Sequence, residues 1–339
     1  MRLLICTQKI DETDGYFGFF GAWVRELAKY VTEVHIVCLY QGIMSLPNNV
    51  TVHSLGKEGG VSHLKYLWRF YTYIWSLRKE YDAVLVHMNP EYVVLGGIFW
   101  RMTGKRVVLW YTHKRVDLKL RVATMLASAI ATASLESFRL KSKKVRVLGH
   151  GIDTEHFLPR KEKRINDVFR IGTVGRVSPS KQLEKIITAS ALLKERGVIL
   201  SLQIVGQPAR ASDVAYENSL RNQIQSLGLQ SVVELAGPLP YSQIPDFYRS
   251  LDIFVNLSLT GSLDKAVLEA MSCNVPVLTS NEAFKKVLPP ELFTSSDPKD
   301  LASKIQEIII SGKRYTLRDM IEREHSLPQL IKKIIGMLE

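Results

Sequence analysis

Short apolar runs separated by longer segments of helical period set the pattern of this chain. Leu3–Thr7, Val34–Leu39, Val50–Ser54, Ala83–His87, Val107–Tyr111, Ile130–Ala133 and Val145–Leu148 are rich enough in apolar and β-branched residues to predict buried strands. A charged stretch, Arg160 to Asp167, interrupts the series. Beyond it, strands are predicted at Phe169–Val174, Leu200–Val205, Val232–Leu235, Ile253–Val255 and Val275–Leu278, with helical patterns at 181–196, 213–227, 264–273 and 299–310. Such alternation predicts an α/β chain with two parallel, doubly wound sheets joined near residues 159–168, because parallel strands need crossover helices that cover both faces. The expected division is an N-terminal unit, residues 1–160, a second unit, 161–320, and a terminal segment, 321–339. From Leu327 to Glu339 that segment spaces Leu330, Ile331, Ile334, Ile335 and Leu338 as an amphipathic helix able to pack back on the first unit. Doubly wound sheets hold ligands beyond the carboxyl ends of their strands, so the loops after strands are where chemistry is expected.

Composition narrows the classes without choosing among them. With 339 residues, 46% hydrophobic and 23% charged, the chain can fill two cores and is far from a disordered composition. Its net charge of +12 is uneven: residues 1–160 carry 22 basic and 13 acidic side chains, residues 161–339 carry 23 and 20. The first half is therefore expected to face something anionic. The segment Ser62–Lys79 sets Leu64, Leu67, Trp68, Tyr71, Ile74 and Trp75 along one stripe, with Lys65, Arg69, Arg78 and Lys79 elsewhere. That pattern fits an interfacial helix and equally a helix packed on its own sheet. Arg101, Lys105, Arg106, Lys114, Arg115, Lys119, Arg121 and the run Arg139 to Arg146 add positive charge, which makes an anionic membrane surface an expected partner. Nucleic acid is not expected, since these bases lie in no recognised nucleic-acid module. Cys6, Cys38 and Cys273 are too few and too scattered for a disulfide framework or a zinc site. No signal peptide is visible after Met1, and the uncharged stretch Val122 to Leu135, rich in Ala, Ser and Thr, is 14 residues, short of the ~20 that span a bilayer. The expected location is the cytoplasm, peripheral on the inner face of the membrane.

Two segments of the second half combine residue types that suit an anionic, ribose-bearing ligand. Gly172-Thr-Val-Gly175-Arg176-Val-Ser-Pro-Ser-Lys181 follows a strand and opens a helix, so Arg176 and Lys181 stand beside exposed backbone N–H groups, a combination suited to a diphosphate. The same residues fit a strand-to-helix turn with two solvated bases. The loop is neither the Walker A pattern nor Gly-x-Gly-x-x-Gly, which removes support for ATPase and dehydrogenase readings. In Ser258-Leu-Thr-Gly-Ser-Leu-Asp264-Lys265-Ala-Val-Leu-Glu269-Ala-Met271, Glu269 lies about a turn into a helix, where a carboxylate can accept both hydroxyls of a ribose. The alternative is a helix with Asp264 compensating its dipole and Glu269 exposed.

The Gly-Arg-x-Ser-Pro-x-Lys loop, followed ~90 residues later by Leu-Glu-Ala-Met-x-x-x-x-Pro-Val, resembles the donor domain of GT-B glycosyltransferases of family 4 (group 1). His150-Gly151-Ile152-Asp153, with Phe157-Leu158-Pro159, resembles that family's segment at the domain junction. The resemblance covers both halves. It implies two facing Rossmann-like domains with the active site in the cleft between them, a nucleoside diphosphate sugar on the C-terminal one and the acceptor on the N-terminal one. By position, Arg176 and Lys181 would hold the donor diphosphate, Ala266 and Val267 would offer backbone N–H groups to it, and Glu269 would hold the ribose. Gly206, Gly237 and Pro238 fall where the family lets the base approach the backbone. Gly15-Tyr-Phe-Gly18-Phe-Phe-Gly21 resembles the glycine-rich loop that approaches donor phosphates and acceptor, with Gly18 placed among the diphosphate contacts. His113, after strand Val107–Tyr111, matches a histidine that touches the donor sugar. No metal or other cofactor is expected: the sequence has no Asp-x-Asp triplet, and cations with helix N-termini can neutralise the leaving diphosphate.

One departure stands out. The family's Glu-x7-Glu would place its first carboxylate at residue 261, which is Gly261. Asp264 and Lys265 are then the candidates for the sugar-side role. The reading is a retaining glycosyltransferase that moves a sugar to a hydroxyl of a glycan or lipid-linked acceptor. Its alternatives are a non-hydrolysing nucleotide-sugar epimerase and a degenerate sugar-binding protein.

Overall fold

The computed structural model describes residues 1–15, 17–161, 167–259 and 261–339. Tyr16 of the glycine-rich loop, Thr260, and residues 162–166 of the expected linker lie outside the described residues. The chain divides into two compact units, Met1–Asp153 with Glu324–Glu339, and Thr154–Arg323. The division falls ahead of the junction expected from the charged stretch, and the last segment belongs to the first unit.

In the first unit seven strands, β1 (Arg2–Ile10), β2 (Glu33–Gln41), β3 (Val50–Ser54), β4 (Ala83–His87), β5 (Arg106–Trp110), β6 (Ala129–Thr132) and β7 (Val145–Val147), form one sheet in the order β3-β2-β1-β4-β5-β6-β7. Every pairing is parallel. The helices α1 (Phe20–Ala28), α2 (His63–Ser76), α3 (Pro90–Met102) and α4 (Leu118–Leu126) supply the crossovers. Alternate strand residues face opposite layers. Leu3 and Ile5 meet Trp23, Val24 and Leu27 of α1 together with Leu330, Ile331 and Ile334 of the C-terminal helix Leu327–Leu338. Leu4 and Val84 face the other way, onto Phe70 and Ile74 of α2, Trp100 of α3 and Leu120 of α4. Hydrogen bonds from Ile152 N–H to His325 O (2.7 Å), Leu327 N–H to Ile152 O (2.8 Å) and Arg106 Nε to Met337 O (2.6 Å) fasten the terminal helix to this unit.

The stripe expected along α2 separates into two faces. Ile74 packs inward beside Phe70, while Leu64, Trp68, Tyr71 and Trp75 remain 80%, 66%, 42% and 59% exposed. A helix of 3.6 residues per turn cannot bring Ile74 and the Leu64–Trp68–Tyr71–Trp75 row to one side when the sheet takes the former.

The second unit has five parallel strands, β8 (Phe169–Val174), β9 (Leu200–Val205), β10 (Val233–Gly237), β11 (Ile253–Asn256) and β12 (Val277–Thr279), in the order β10-β9-β8-β11-β12. Its main helices are α5 (Leu183–Glu195), α6 (Ala211–Ser226), α7 (Ile244–Ser250), α8 (Lys265–Ser272) and α9 (Pro298–Ser311). The strand expected from Val275 begins at Val277 because Pro276 has no N–H to give a ladder; its carbonyl instead accepts from Phe254 at 2.8 Å. Helix α7 has only seven residues, too short for its period to register in the sequence. The decisive feature is the strand order. The chain leaves β8 toward β9 on one side and returns to β11 on the other, so the carboxyl ends of β8 and β11 form the topological switch point at which doubly wound sheets ordinarily hold a ligand.

Candidate functional site

The loop after β8 continues the sheet's hydrogen bonding past its end. Gly175 N–H donates to Val205 O (3.0 Å), Val177 N–H to Gln207 O (3.1 Å) and Gly206 N–H to Gly237 O (2.8 Å). The strand ends crowd here. Gly206 has φ +143°, and a Cβ added to it would overlap the Gly175 carbonyl oxygen, so only glycine fits. Gly206 and Gly237 therefore belong to one backbone ladder with the Gly175 turn, and Pro238 follows it on the exposed side. Arg176 is exposed and has no ion pair among the described residues. A 3₁₀ turn, Pro179–Lys181, and Gln182 at φ +51° then lead into α5.

Lys181 is turned toward the loop after β11. Its Nζ lies 2.9 Å from Asp264 Oδ2 and donates to Ser258 Oγ at 3.3 Å. Asn256, the last residue of β11, donates from Nδ2 to the same Asp264 oxygen at 2.9 Å. Burial alone would raise the Asp264 pKa, but the Lys181 ammonium and hydrogen bonds from Lys181, Asn256 and Ser258 hold it below the ordinary aspartate value. Asp264 is thus an ionised group in a largely dry place. Gly261 has φ +63°, in the left-handed region, so the glutamate expected there by resemblance would be strained in this loop.

Helix α8 starts at Lys265. Val267 N–H already closes the first turn onto Asp264 O (3.1 Å), so of the two amides expected to meet a diphosphate, Ala266 is the one that helix geometry leaves without an intrahelical partner. One turn further, Glu269 is buried rather than exposed, which removes the solvated-face alternative. Tyr248 of α7 donates to Glu269 Oε2 at 3.1 Å, and Lys265 Nζ stands 3.8 Å from Oε1. Burial pushes the Glu269 carboxyl up to about 7, only partly offset by Lys265 and by the bond from Tyr248. Sequence reading singled out neither Asn256 nor Tyr248. The first shows itself as the polar end of an apolar strand; the second lies in the short helix that leaves no periodic signal.

In the first unit the candidates sit in the loops after β1 and β5. Gly18 is buried and its N–H donates to Asp14 O at 2.9 Å, so its amide is engaged within its own loop instead of open to a phosphate. That loop is anchored by Lys9, whose Nζ meets Asp14 at 2.6 Å and Asp11 at 3.1 Å, and by Phe20, which stacks on His87 with ring centres 4.2 Å apart. His113 is exposed in the loop after β5; its Nδ1 accepts the Arg115 N–H at 3.0 Å, which leaves Nε2 to carry the ring hydrogen.

Comparison with known proteins supplies the family. Residues 155–325 match the glycosyl transferases group 1, half of the chain and nearly all of the second unit. The chain belongs to this family. The Escherichia coli protein WcaL, named for glycosyl transfer in colanic acid biosynthesis, is 28% identical over 203 residues, covering 58% of this chain and 43% of WcaL. The chain thus spans under half the length of the first curated relatives it matches. A phosphatidylinositol N-acetylglucosaminyltransferase component of Arabidopsis thaliana is 26% identical over 351 residues, covering 88% of this chain and 73% of that one. Among solved structures, HepE of Anabaena, crystallised with UDP and glucose, superposes with a TM-score of 0.78 at 18% identity and covers 100% of this chain and 99% of its own. At that identity the likeness shows the fold, which is GT-B: two parallel, doubly wound Rossmann-like units.

Proposed function

We propose that this protein is a retaining, metal-independent glycosyltransferase. It takes a nucleoside diphosphate sugar on its second unit and delivers the sugar to a hydroxyl of a glycan or lipid-linked acceptor on its first, in polysaccharide or glycolipid biosynthesis. The observation that carries the reading is the set of residues at the switch point of the second unit. There Arg176 and Lys181 lie on one loop, Glu269 follows on α8, and the Gly175–Gly206–Gly237 ladder removes the side chains that would obstruct a nucleotide. Cations and backbone amides at such a place stabilise the diphosphate as it departs, and that is where catalysis by leaving-group stabilisation needs charge. Retention then follows from attack on the face the diphosphate leaves, with no covalent intermediate on the protein. Glu269 takes the ribose hydroxyls, the backbone near Gly206, Gly237 and Pro238 meets the base, and His113, through Nε2–H, meets the sugar.

The acceptor side is proposed to work at the cytoplasmic face of a membrane. Its support is the exposed row Leu64, Trp68, Tyr71 and Trp75 on α2, with Ile98 and Met102 exposed on α3 and Arg78 lying over the Trp75 ring at 4.6 Å. Aromatics and bases on one surface suit an anionic lipid interface. No helix among the described residues is long and apolar enough to cross a membrane.

A thermal-shift screen with UDP, GDP, ADP and dTDP and their sugars tests the donor assignment. A ligand at 100 times its dissociation constant raises stability by about 2.7 kcal/mol. Product analysis with the stabilising donor then separates transfer from epimerisation, since an epimerase converts the donor without an acceptor. Failure of every nucleotide to stabilise the protein overturns the reading.

A further inference from the structure

The loop after β11 sets two charges, Asp264 and Lys265, at the start of α8, and each meets an opposite charge already assigned to the donor. Asp264 holds Lys181 at 2.9 Å, and Lys265 lies 3.8 Å from Glu269. The conformation of Asp264 is informative. It occupies the N-cap position, where an aspartate ordinarily accepts from N–H groups in the first turn of its own helix, yet its side chain makes no such bond. The carboxylate is directed instead to Lys181, Asn256 and Ser258. Asn256 is fixed in turn, because its Oδ1 accepts from Ser258 N–H at 3.3 Å and from Thr279 Oγ1 at 3.4 Å. The carboxylate is therefore tied to the ends of β11 and β12, and only 13% of the Lys181 side chain and 15% of the Asp264 side chain reach solvent. Away from water, an ammonium already matched by a carboxylate attracts a second anion far less than a bare one does.

We infer that Asp264 is a positioning residue, the internal counter-ion of Lys181. It keeps the ammonium at the β8 loop in the empty site and competes with the donor diphosphate for it. Donor binding is then an exchange of partners at Lys181, and re-formation of the Lys181–Asp264 pair eases departure of the nucleoside diphosphate after transfer. The inference rests on the donor site proposed above, with Asp264 acting through Lys181 rather than on the sugar.

Asp264→Asn tests it, because the amide keeps an oxygen that accepts from Lys181 while the charge is removed. Calorimetry of the full chain with bare UDP and GDP is expected to show affinity tightened about tenfold. With the preferred donor, kcat and KM are expected to fall together as product release slows. Asp264→Ser, which also lacks the charge, should move affinity the same way, and melting curves recorded alongside identify a variant that fails to fold. Unchanged or weaker nucleoside diphosphate affinity in the folded variants overturns the inference. A fall in kcat with bare nucleoside diphosphate binding unchanged also overturns it, and makes Asp264 a sugar contact. If the wild-type protein binds none of UDP, GDP, ADP or dTDP, the donor site itself is wrong.

Discussion

The loop after β11 in the second unit and the loop after β5 in the first handle charge differently. In the second unit Lys181 with Asp264 and Lys265 with Glu269 are matched and mostly dry, each carboxylate also holding a neutral donor, while Arg176 on the loop after β8 is exposed. In the first unit His113, Lys114 and Arg115 stand exposed in the loop after β5, and the excess of bases over acids is spread across the surface. A small, defined anion is selected by a site assembled in advance, since groups already oriented lose little freedom on binding. A broad or fluid anionic surface needs only density of charge and some apolar area. The difference is what the proposed function requires, a compact ligand on one unit and an extended one on the other.

Removing one member of the dry pair should have the largest effect. Lys181→Ala leaves Asp264 buried without its cation, at a cost of about 3 kcal/mol. The melting temperature is expected to fall by about 6–10 °C, with loss of nucleoside diphosphate binding. A melting curve like that of the wild type would show that the pair is not matched in the way described. Arg176→Ala separates binding from folding: the exposed guanidinium should take about 1.5–3 kcal/mol of nucleoside diphosphate affinity with it and leave melting unchanged.

Glu269 gives the comparison a pH axis. As a ribose acceptor it must be ionised, so nucleoside affinity should rise as pH increases through about 7, by about tenfold between pH 6 and 8, with Lys265 and Tyr248 the groups facing the carboxyl. Its effect on stability has the opposite sign. A carboxyl raised above its unfolded value favours the fold fully below the ordinary glutamate range, and that contribution is lost as pH rises through about 7. Glu269→Gln should flatten both profiles in titration calorimetry and thermal melts. The smallest expected change belongs to the first unit: Trp68→Ser with Trp75→Ser should lower recovery on anionic vesicles by about threefold in flotation and leave nucleoside diphosphate affinity untouched. Coupled losses of both would dissolve the contrast between the units.

Much of the fold was legible because parallel strands buried on both faces appear as unbroken apolar runs, such as Ala83–His87 and Leu200–Val205. The Arg176–Lys181 loop and Glu269 stood out for a different reason, since residue type and spacing suggest their chemistry. The partners of these residues did not. Nothing near Asp264 in the sequence points to Lys181, 83 positions away, and the pairing exists only because β8 and β11 lie side by side. The engaged amides of Gly18 and Val267 were hidden likewise, because a glycine-rich loop and a helix start look the same whether their N–H groups point outward or close a turn. The stripe on α2 was visible as amphipathic, but which side meets the sheet is decided by Phe70 and Ile74 together.

The return of the terminal helix to the first unit bears on how the chain is made. Domains commonly fold in the order in which they emerge from the ribosome. Here the sheet that forms first cannot cover Leu3, Ile5 and Val108 with Leu330, Ile331 and Ile334 until the whole of Thr154–Arg323 has been synthesised. During that interval the nascent first unit shows an apolar face to its surroundings, and a chaperone that binds such faces would have its longest opportunity there.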